Sequence, residues 1–336
     1  MDSICFDPHH VARFKQWVSD AQKIAIVAHV NADGDAVGSL LGLHHLLQRR
    51  ATPILPNGCP DNFRWLPDAD DILSADDHLQ QCQDGLRNAD LIIGVDFNVP
   101  SRIGSLASSL ADSSAHKVLI DHHHEPDNAS FDITFSIPDL SSACEMVFWL
   151  ALQSWGDDAI DYNVARCLYT GICTDTGSFS YSCEQPTLYH AAAALVRRNI
   201  NAAEIHNNIN NTFTINRLKF YGFAISQRLR IFPEHRFAYF YLSLADQEAF
   251  GINPSDMEGL VNYTLNMRLV DVGVLIREER DCVKLSFRSK NGIVVNTIAK
   301  DYFGGGGHTQ AAGATTSLSF DDAIATIEKI YHISSK

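Results

Sequence analysis

The 336-residue sequence contains no Cys-x-x-Cys pair; its eight cysteines, at positions 5, 59, 82, 144, 167, 173, 183 and 282, are scattered. Zinc ribbons and thioredoxin-like redox centres need thiols at short spacing, so neither is expected. The chain is also too large for a disulfide-stapled miniature. Most of its cysteines lie in apolar stretches, which predicts buried, reduced thiols. No apolar run approaches the roughly 20 residues of a membrane-spanning helix. The opening MDSICFDPHH lacks the basic and apolar regions of a secretory leader. A cytoplasmic protein with no membrane partner is therefore expected. Positive charge is scarce as well: 26 Lys and Arg stand against 40 Asp and Glu, a net charge of −14. Without a basic stripe, long duplex nucleic acid is excluded as a partner.

What remains is an ordinary globular composition, 46% hydrophobic and 20% charged, long enough for two domains with real cores. The charge is unevenly spread. Residues 1–212 carry 12 basic and 27 acidic side chains, a balance of −15, while residues 213–336 carry 14 and 13, a balance of +1. That asymmetry suits an acidic metal site paired with a phosphate-binding module; ordinary variation between domains would also produce it.

The first half alternates strand-like and helix-like patterns. The runs IAIVA (24–28), LIIGV (91–95) and VLI (118–120) are short and continuously apolar, as strands buried on both faces are. Val37, Leu40, Leu41, Leu43 and Leu47 recur at helical spacing within 36–50. An α/β fold with a mainly parallel sheet flanked by helices follows, with its ligand beyond the carboxyl ends of the strands. Residues 141–212 look largely helical, and 189–212 read as a polar helical connector. From 213 the pattern shifts to strands at 237–244, 270–276 and 282–287, a Gly-rich turn at 304–307 and a last helix at 320–332. A second, smaller α/β domain with a mixed sheet is expected there.

The polar residues that end the apolar runs carry the chemistry. His29, Asp33 and Asp35 fall within seven residues after the first run. Two acids at this spacing repel unless a cation neutralises them. A solvated helix cap would explain Asp35 but not His29 together with Asp33. Asp96 ends the second run, where a simple turn former is the plainer reading. Asp121-His122-His123-His124 ends the third, where imidazoles beside an acid suit metal ligation, or else form a surface histidine cluster. Asp175, in GICTDTGSF, lies in an apolar segment where a carboxylate without a partner is costly, with a helix cap as the plainer reading. His9, His10, His44 and His45 stand outside these motifs and read as structural or surface residues.

Taken in order, the HxxxDxD loop, the strand-end Asp, the DHH triplet and GxxTDTGxF resemble the four motifs of the DHH phosphoesterase superfamily. Ser286-Phe-Arg288-Ser289 and Gly304-Gly-Gly-Gly-His308-x-x-Ala-Ala-Gly313 look like the signature of the DHHA1 domain. The two-domain build most resembles the NrnA-type oligoribonucleases and pAp phosphatases. The motifs span residues 29 to 313. Ala32 stands where Pro is usual in that family, and His124 has no counterpart.

The resemblance implies a DHH domain over 1–188, the connector over 189–212 and a DHHA1 domain over 213–336. It implies two divalent ions, Mn²⁺ first and Mg²⁺, Co²⁺ or Fe²⁺ as alternatives. One would take His29, Asp33, Asp96 and Asp175, the other Asp35, Asp96, His122 and Asp175. His123 would meet the scissile phosphate, with Asp121 orienting the imidazoles. Arg288, Ser286, Ser289, Gly305, Gly306, Gly307 and His308 would bind a terminal phosphate, and Asn262 and Arg268 the nucleotide. A flexible turn is the alternative reading of the glycines. Short RNA oligonucleotides or nucleotides are the implied substrates, and a homodimer is suggested by analogy alone. A cyclic-di-AMP or pApA phosphodiesterase shares every ligand, and a non-catalytic nucleotide sensor would need ligand losses that this sequence does not have.

Overall fold

In the computed structural model the chain divides into two compact units, Met1–Thr212 and Phe213–Lys336. The structure describes residues 4–211 and 213–333.

The first unit runs α1 (Pro8–Asp20), β1 (Ile24–Val27), α2 (Gly34–Leu46), β2 (Ala51–Leu55), β3 (Leu73–Ser74), α3 (Ala75–Arg87) and β4 (Leu91–Val95). It continues through α4 (Ala107–Asp112), β5 (His116–Asp121), β6 (Ile133–Ser136), α5 (Ala143–Trp155), α6 (Tyr162–Asp175), α7 (Pro186–Val196) and α8 (Ala202–Asn210). Its six strands form one parallel sheet in the order β3-β2-β1-β4-β5-β6. Alternate residues of the central strands feed two cores. Ile24, Ile26, Ile93 and Ile120 face one, with Phe14, Leu40, Val147 and Leu168 of the helices. Ala25, Val27, Ile92 and Leu119 face the other, with Leu86 and Leu110. Burial on both faces is why the strands read as unbroken apolar runs rather than alternating ones.

Within residues 189–212, expected as a connector, the end of α7 and all of α8 pack in this unit. Ala191, Leu195 and Ile205 are buried in its first core. All eight cysteines are free thiols; Cys82, Cys144, Cys167 and Cys173 are buried, Cys59, Cys183 and Cys282 half-buried, and Cys5 exposed.

The second unit holds α9 (Ile215–Gln227), β7 (Leu229–Phe232), β8 (Phe237–Leu242), α10 (Leu244–Phe250), α11 (Asn262–Leu265) and β9 (Val272–Glu278). It then holds β10 (Val283–Ser289), α12 (Asn296–Phe303), β11 (Gly306–His308), β12 (Ala311–Thr316) and α13 (Phe320–Ile330). The sheet order is β11-β12-β10-β9-β8-β7, antiparallel except for the parallel pair β8–β9, so it is mixed as expected. One face packs Val274, Leu285 and Phe287 against Phe303 and Ile327. On the other, Phe240 and Leu275 pack against Phe220 and Leu260. That second core takes no residue from β10 or β12.

Candidate active site

The strand ends of the first sheet deliver the candidate residues to one edge. His29 lies two residues past β1, Asp96 immediately past β4, and Asp121 is the last residue of β5. Asp33 is the N-cap of α2, its Oδ1 accepting from the N–H groups of Asp35 and Ala36 at 3.0 and 3.1 Å. The cap of α2 is therefore Asp33, a neighbour of His29, and not Asp35, as a solvated-cap reading of the loop would have it. Asp35, in the first turn, is fully buried; its two oxygens accept from Ala143 N (2.6 Å) and Cys144 N (2.9 Å) at the start of α5. Asp175 closes α6.

Close packing of α2 on α6 brings these carboxylates together. A Cβ on Gly38 would come within 2.7 Å of the Cys167 carbonyl oxygen, and one on Gly171 within 2.8 Å of an Asp35 oxygen. Only glycine fits at both places. Asp96 adopts a left-handed backbone (φ 59°), which aspartate tolerates better than most residues. Its N–H donates to Ile120 O at 3.1 Å.

The imidazoles are oriented by their own backbone contacts. His29 Nδ1–H donates to Val30 O at 2.8 Å, which leaves Nε2 as the ligand nitrogen. His122 Nδ1 lies 3.3 Å from Leu140 O and His123 Nδ1 2.7 Å from Asp121 Oδ1, so both point Nε2 the other way. His29 Nε2 stands 3.3 Å from Asp96 Oδ2 and 4.0 Å from Asp33 Oδ1. His122 Nε2 stands 3.3 Å from Asp175 Oδ2, 3.7 Å from Asp96 Oδ1 and 3.9 Å from Asp35 Oδ2. Three-residue groups able to hold a metal ion therefore form at His29–Asp33–Asp96 and at Asp35–His122–Asp175, with a further grouping at Asp96–His122–His123. Asp96 turns one oxygen to each of the first two.

The donor set fits divalent cations on electrostatic grounds. Burial pushes the Asp96 and Asp175 carboxyls well above the usual carboxylate range, and the other acids add to it. Asp35 is raised by burial too, against the opposing pull of His122. Buried acids that repel one another become stable anions once a cation lies among them.

Two residues here escaped the sequence reading. The Arg102 charge opposes, without cancelling, the rise that burial imposes on the Asp96 carboxyl, and its carbonyl accepts from Val30 N at 2.8 Å. His206, on α8, has Nδ1 3.0 Å from Ser178 Oγ in the turn that follows Asp175. Arg102 could have been suspected from its place six residues past a strand-end acid. Nothing marked His206. His124 is exposed, and its carbonyl accepts from Asn98 Nδ2 at 2.9 Å.

In the second unit the residues separate by strand parity. Lys284, Ser286 and Arg288 share the outer face of β10, and Val283, Leu285, Phe287 and Ser289 the core face. Ser289 is buried, its Oγ donating to Ile293 O at 2.5 Å. It braces the following turn rather than joining the open face, which corrects its grouping with Ser286. A concavity of about 490 Å³ is lined by Arg277, Lys284, Ser286, Gly304 and Gly305, among others. Arg277 and Lys284 were not anticipated, although the period-2 pattern SFRS extended backwards reaches Lys284. The glycines form a strand edge rather than a loose turn: Gly306, Gly307 and His308 pair with Gly313, Ala312 and Ala311. A Cβ on Gly305 would lie 2.1 Å from Gly313 O. Asn262 and Arg268 are exposed and do not line the concavity.

Residues 23–172 match the N-terminal domain of the DHH family, and residues 235–332 match the DHHA1 domain. The chain belongs to the DHH family. It is 30% identical over 307 residues to the bifunctional oligoribonuclease and PAP phosphatase NrnA of Mycoplasma pneumoniae, covering 89% of each chain. It is likewise 30% identical to NrnA of Bacillus subtilis, covering 89% of this chain and 91% of that one. Among solved structures, an exopolyphosphatase-related protein from Bacteroides fragilis superposes with a TM-score of 0.93 at 33% identity, over 97% of this chain and 96% of the other. The match extends across both domains of the DHH and DHHA1 pair. Among the described residues no helix is long and apolar enough to cross a membrane.

Proposed function

We propose that this chain hydrolyses short oligoribonucleotides, down to dinucleotides, to mononucleotides and removes the 3′-phosphate of pAp, acting in the cytoplasm with two divalent ions. Its class, a hydrolase of phosphoester bonds, follows from the family and the NrnA relatives. The observation that carries the finer reading is Asp96: its oxygens lie 3.3 Å from His29 Nε2 and 3.7 Å from His122 Nε2. One carboxylate facing two imidazole–carboxylate groups is what a pair of ions sharing a ligand requires.

His29, Asp33, Asp96 and Asp175 would hold one ion and Asp35, Asp96, His122 and Asp175 the other. Mixed oxygen and nitrogen donors favour Mn²⁺, with Mg²⁺, Co²⁺ and Fe²⁺ as substitutes. When bound, the ions supply Lewis acidity toward the phosphoryl oxygens and acidify the water that attacks. The chain's own contribution is orientation. The Asp121 carboxylate accepts from His123 Nδ1–H and from His123 N, at 2.7 and 3.1 Å. It holds the ring with Nε2 outward, where it can contact the scissile phosphate and give a proton to the leaving oxygen. Burial of Asp35 and Asp96 excludes water from the donor side, which strengthens their hold on a cation.

The second unit is proposed to bind the substrate's terminal phosphate. Arg288 offers a bidentate guanidinium and Ser286 a hydroxyl on the open face of β10. Gly305 N–H already donates to Ala299 O at 2.9 Å, so Gly305 is proposed to contribute by leaving the backbone open to close approach, while Gly306, Gly307 and His308 are proposed to add donors. Lys284 joins them on the same face, and Asn262 and Arg268 are proposed for the nucleotide.

The test is a substrate panel with Mn²⁺: a 5′-labelled RNA dinucleotide, pAp, pApA, cyclic di-AMP and pyrophosphate. Turnover of the dinucleotide and pAp supports the reading. Preference for cyclic di-AMP would move the chain to cyclic-dinucleotide turnover. Metal-independent binding without turnover of any of them would replace the enzyme by a nucleotide sensor.

A further inference from the structure

His44 belongs to none of the motifs, yet its imidazole is buried and hydrogen-bonded. It sits near the end of α2, with a side chain only 4% exposed. Its Nδ1–H donates to Ala51 O at 2.7 Å, which fixes the tautomer and leaves the Nε2 lone pair facing away from that bond. Nε2 is buried and has no hydrogen-bond partner. A buried imidazole nitrogen in that state is costly unless something accepts its lone pair.

Nε2 is aimed at carboxylates. Asp71 Oδ2 lies 3.6 Å away, and donor atoms of His44, Asp68 and Asp71 all lie within 4.8 Å of one another. Asp68 holds a left-handed backbone (φ 60°), and its Oδ2 is ion-paired with Arg49 Nε at 2.5 Å, with His45 Nε2 3.5 Å away. A tetrahedral ion bound at 2.0–2.2 Å keeps its donors roughly 3.3–3.6 Å apart. The observed spacing needs only a small closure to reach that. One imidazole and two carboxylates, with water completing the shell, suit Zn²⁺.

We propose that His44, Asp68 and Asp71 form a separate divalent-cation site, selective for Zn²⁺-like ions and structural in role. It does not overlap the catalytic edge. Ala51 begins β2 and pairs with Ile24, the first residue of β1, so this site lies at the amino end of the sheet. Nine residues of α2 separate His44 from Asp35, about 14 Å along the helix axis. An ion here ties the last turn of α2 to the segment 68–71, and so anchors the far end of the helix that carries Asp33 and Asp35. Two groups compete for Asp68 Oδ2: the buried His45 Nε2, which also lies 3.3 Å from Pro67 O, and Arg49. The Arg49 side chain is 58% exposed and can swing into water.

The experiment uses the full chain stripped of metal, then equilibrated with Zn²⁺ and measured for zinc per chain by mass spectrometry. Asp71→Asn, at an exposed position, and His44→Asn, whose amide keeps the donor to Ala51 O, should each bind about one zinc fewer than wild type. Arg49→Gln should bind that zinc more tightly. Zinc should raise the thermal midpoint of wild type more than that of Asp71→Asn, because an ion that binds only the folded chain stabilises it. Equal zinc content in wild type and both ligand variants, with circular dichroism reporting folded protein, would overturn the proposal.

Discussion

In the first unit the candidate donors Asp35, Asp96 and His122 are buried at the end of a sheet covered on both faces. In the second, Lys284, Ser286 and Arg288 lie on a strand face to which the second core contributes nothing. The difference follows from what each set has to bind. Small cations are held by converging buried oxygens, whose mutual repulsion is what an ion relieves. A phosphate with a nucleotide attached needs an open face, positive side chains and backbone that can be approached closely. Mutations in the two units should therefore fail differently, the first losing turnover and the second losing affinity.

The largest effect is expected at Asp96. Asp96→Asn should reduce turnover of pAp by at least about 1,000-fold with little change in fold, since the carboxylate sits at the strand end and not in the core. Steady-state kinetics alongside circular dichroism would check this. Gly171→Ala should come next. A Cβ there meets Asp35 Oδ1 at 2.8 Å and Cys144 Sγ at 2.2 Å, so α2 and α6 must separate. Overpacking of this kind costs about 1–3 kcal/mol and should also weaken metal affinity; urea denaturation and a Mn²⁺ titration would measure both.

Arg288→Ala should leave kcat within a few-fold and raise KM about 10- to 100-fold, the range for a lost hydrogen bond to a charged group. A kcat loss matching that of Asp96→Asn would erase the contrast between the units. The smallest effect concerns pH. The Arg236 guanidinium, doubly bonded to Asp271, holds that carboxyl below its usual range. Because the folded value is depressed, the pair stabilises the unit fully above the unfolded value of about 3.9 and loses this as pH falls through the folded value. The gap in urea midpoint between wild type and Asp271→Asn should shrink as pH drops below about 4.

Much of this was legible before the structure. The strands ending at Val27, Val95 and Asp121 were visible because burial on both faces leaves a continuous apolar run. The acids and imidazoles that follow them, His29 with Asp33 and Asp35, Asp96, and His122, were visible because open parallel sheets put ligands at that edge. Other elements were hidden for physical reasons. The strand Ala51–Leu55 carries Pro53, which reads as a break. It is tolerated because β3 pairs only with Ile54 and Leu55, so Pro53 has a strand partner on one side alone. Residues 201–212 are polar enough to read as a linker, yet Ile205 of α8 is buried in the core. Ser286 and Ser289 look equivalent in SFRS, and only the pleat sends them to opposite faces. His44 gave no signal, because a histidine pair on a helix outside any motif resembles any other until Asp68 and Asp71 are seen around it.

The central claim, that the groups sharing Asp96 bind the ions that drive phosphoester hydrolysis, is tested most directly by titrating metal-free wild type and Asp96→Asn with Mn²⁺ while following phosphate release from pAp. Saturable, Mn²⁺-dependent release by wild type, with the variant failing in release and in Mn²⁺ affinity together, is the expected result. Undiminished release by Asp96→Asn, or release by wild type that persists in excess chelator, would contradict it.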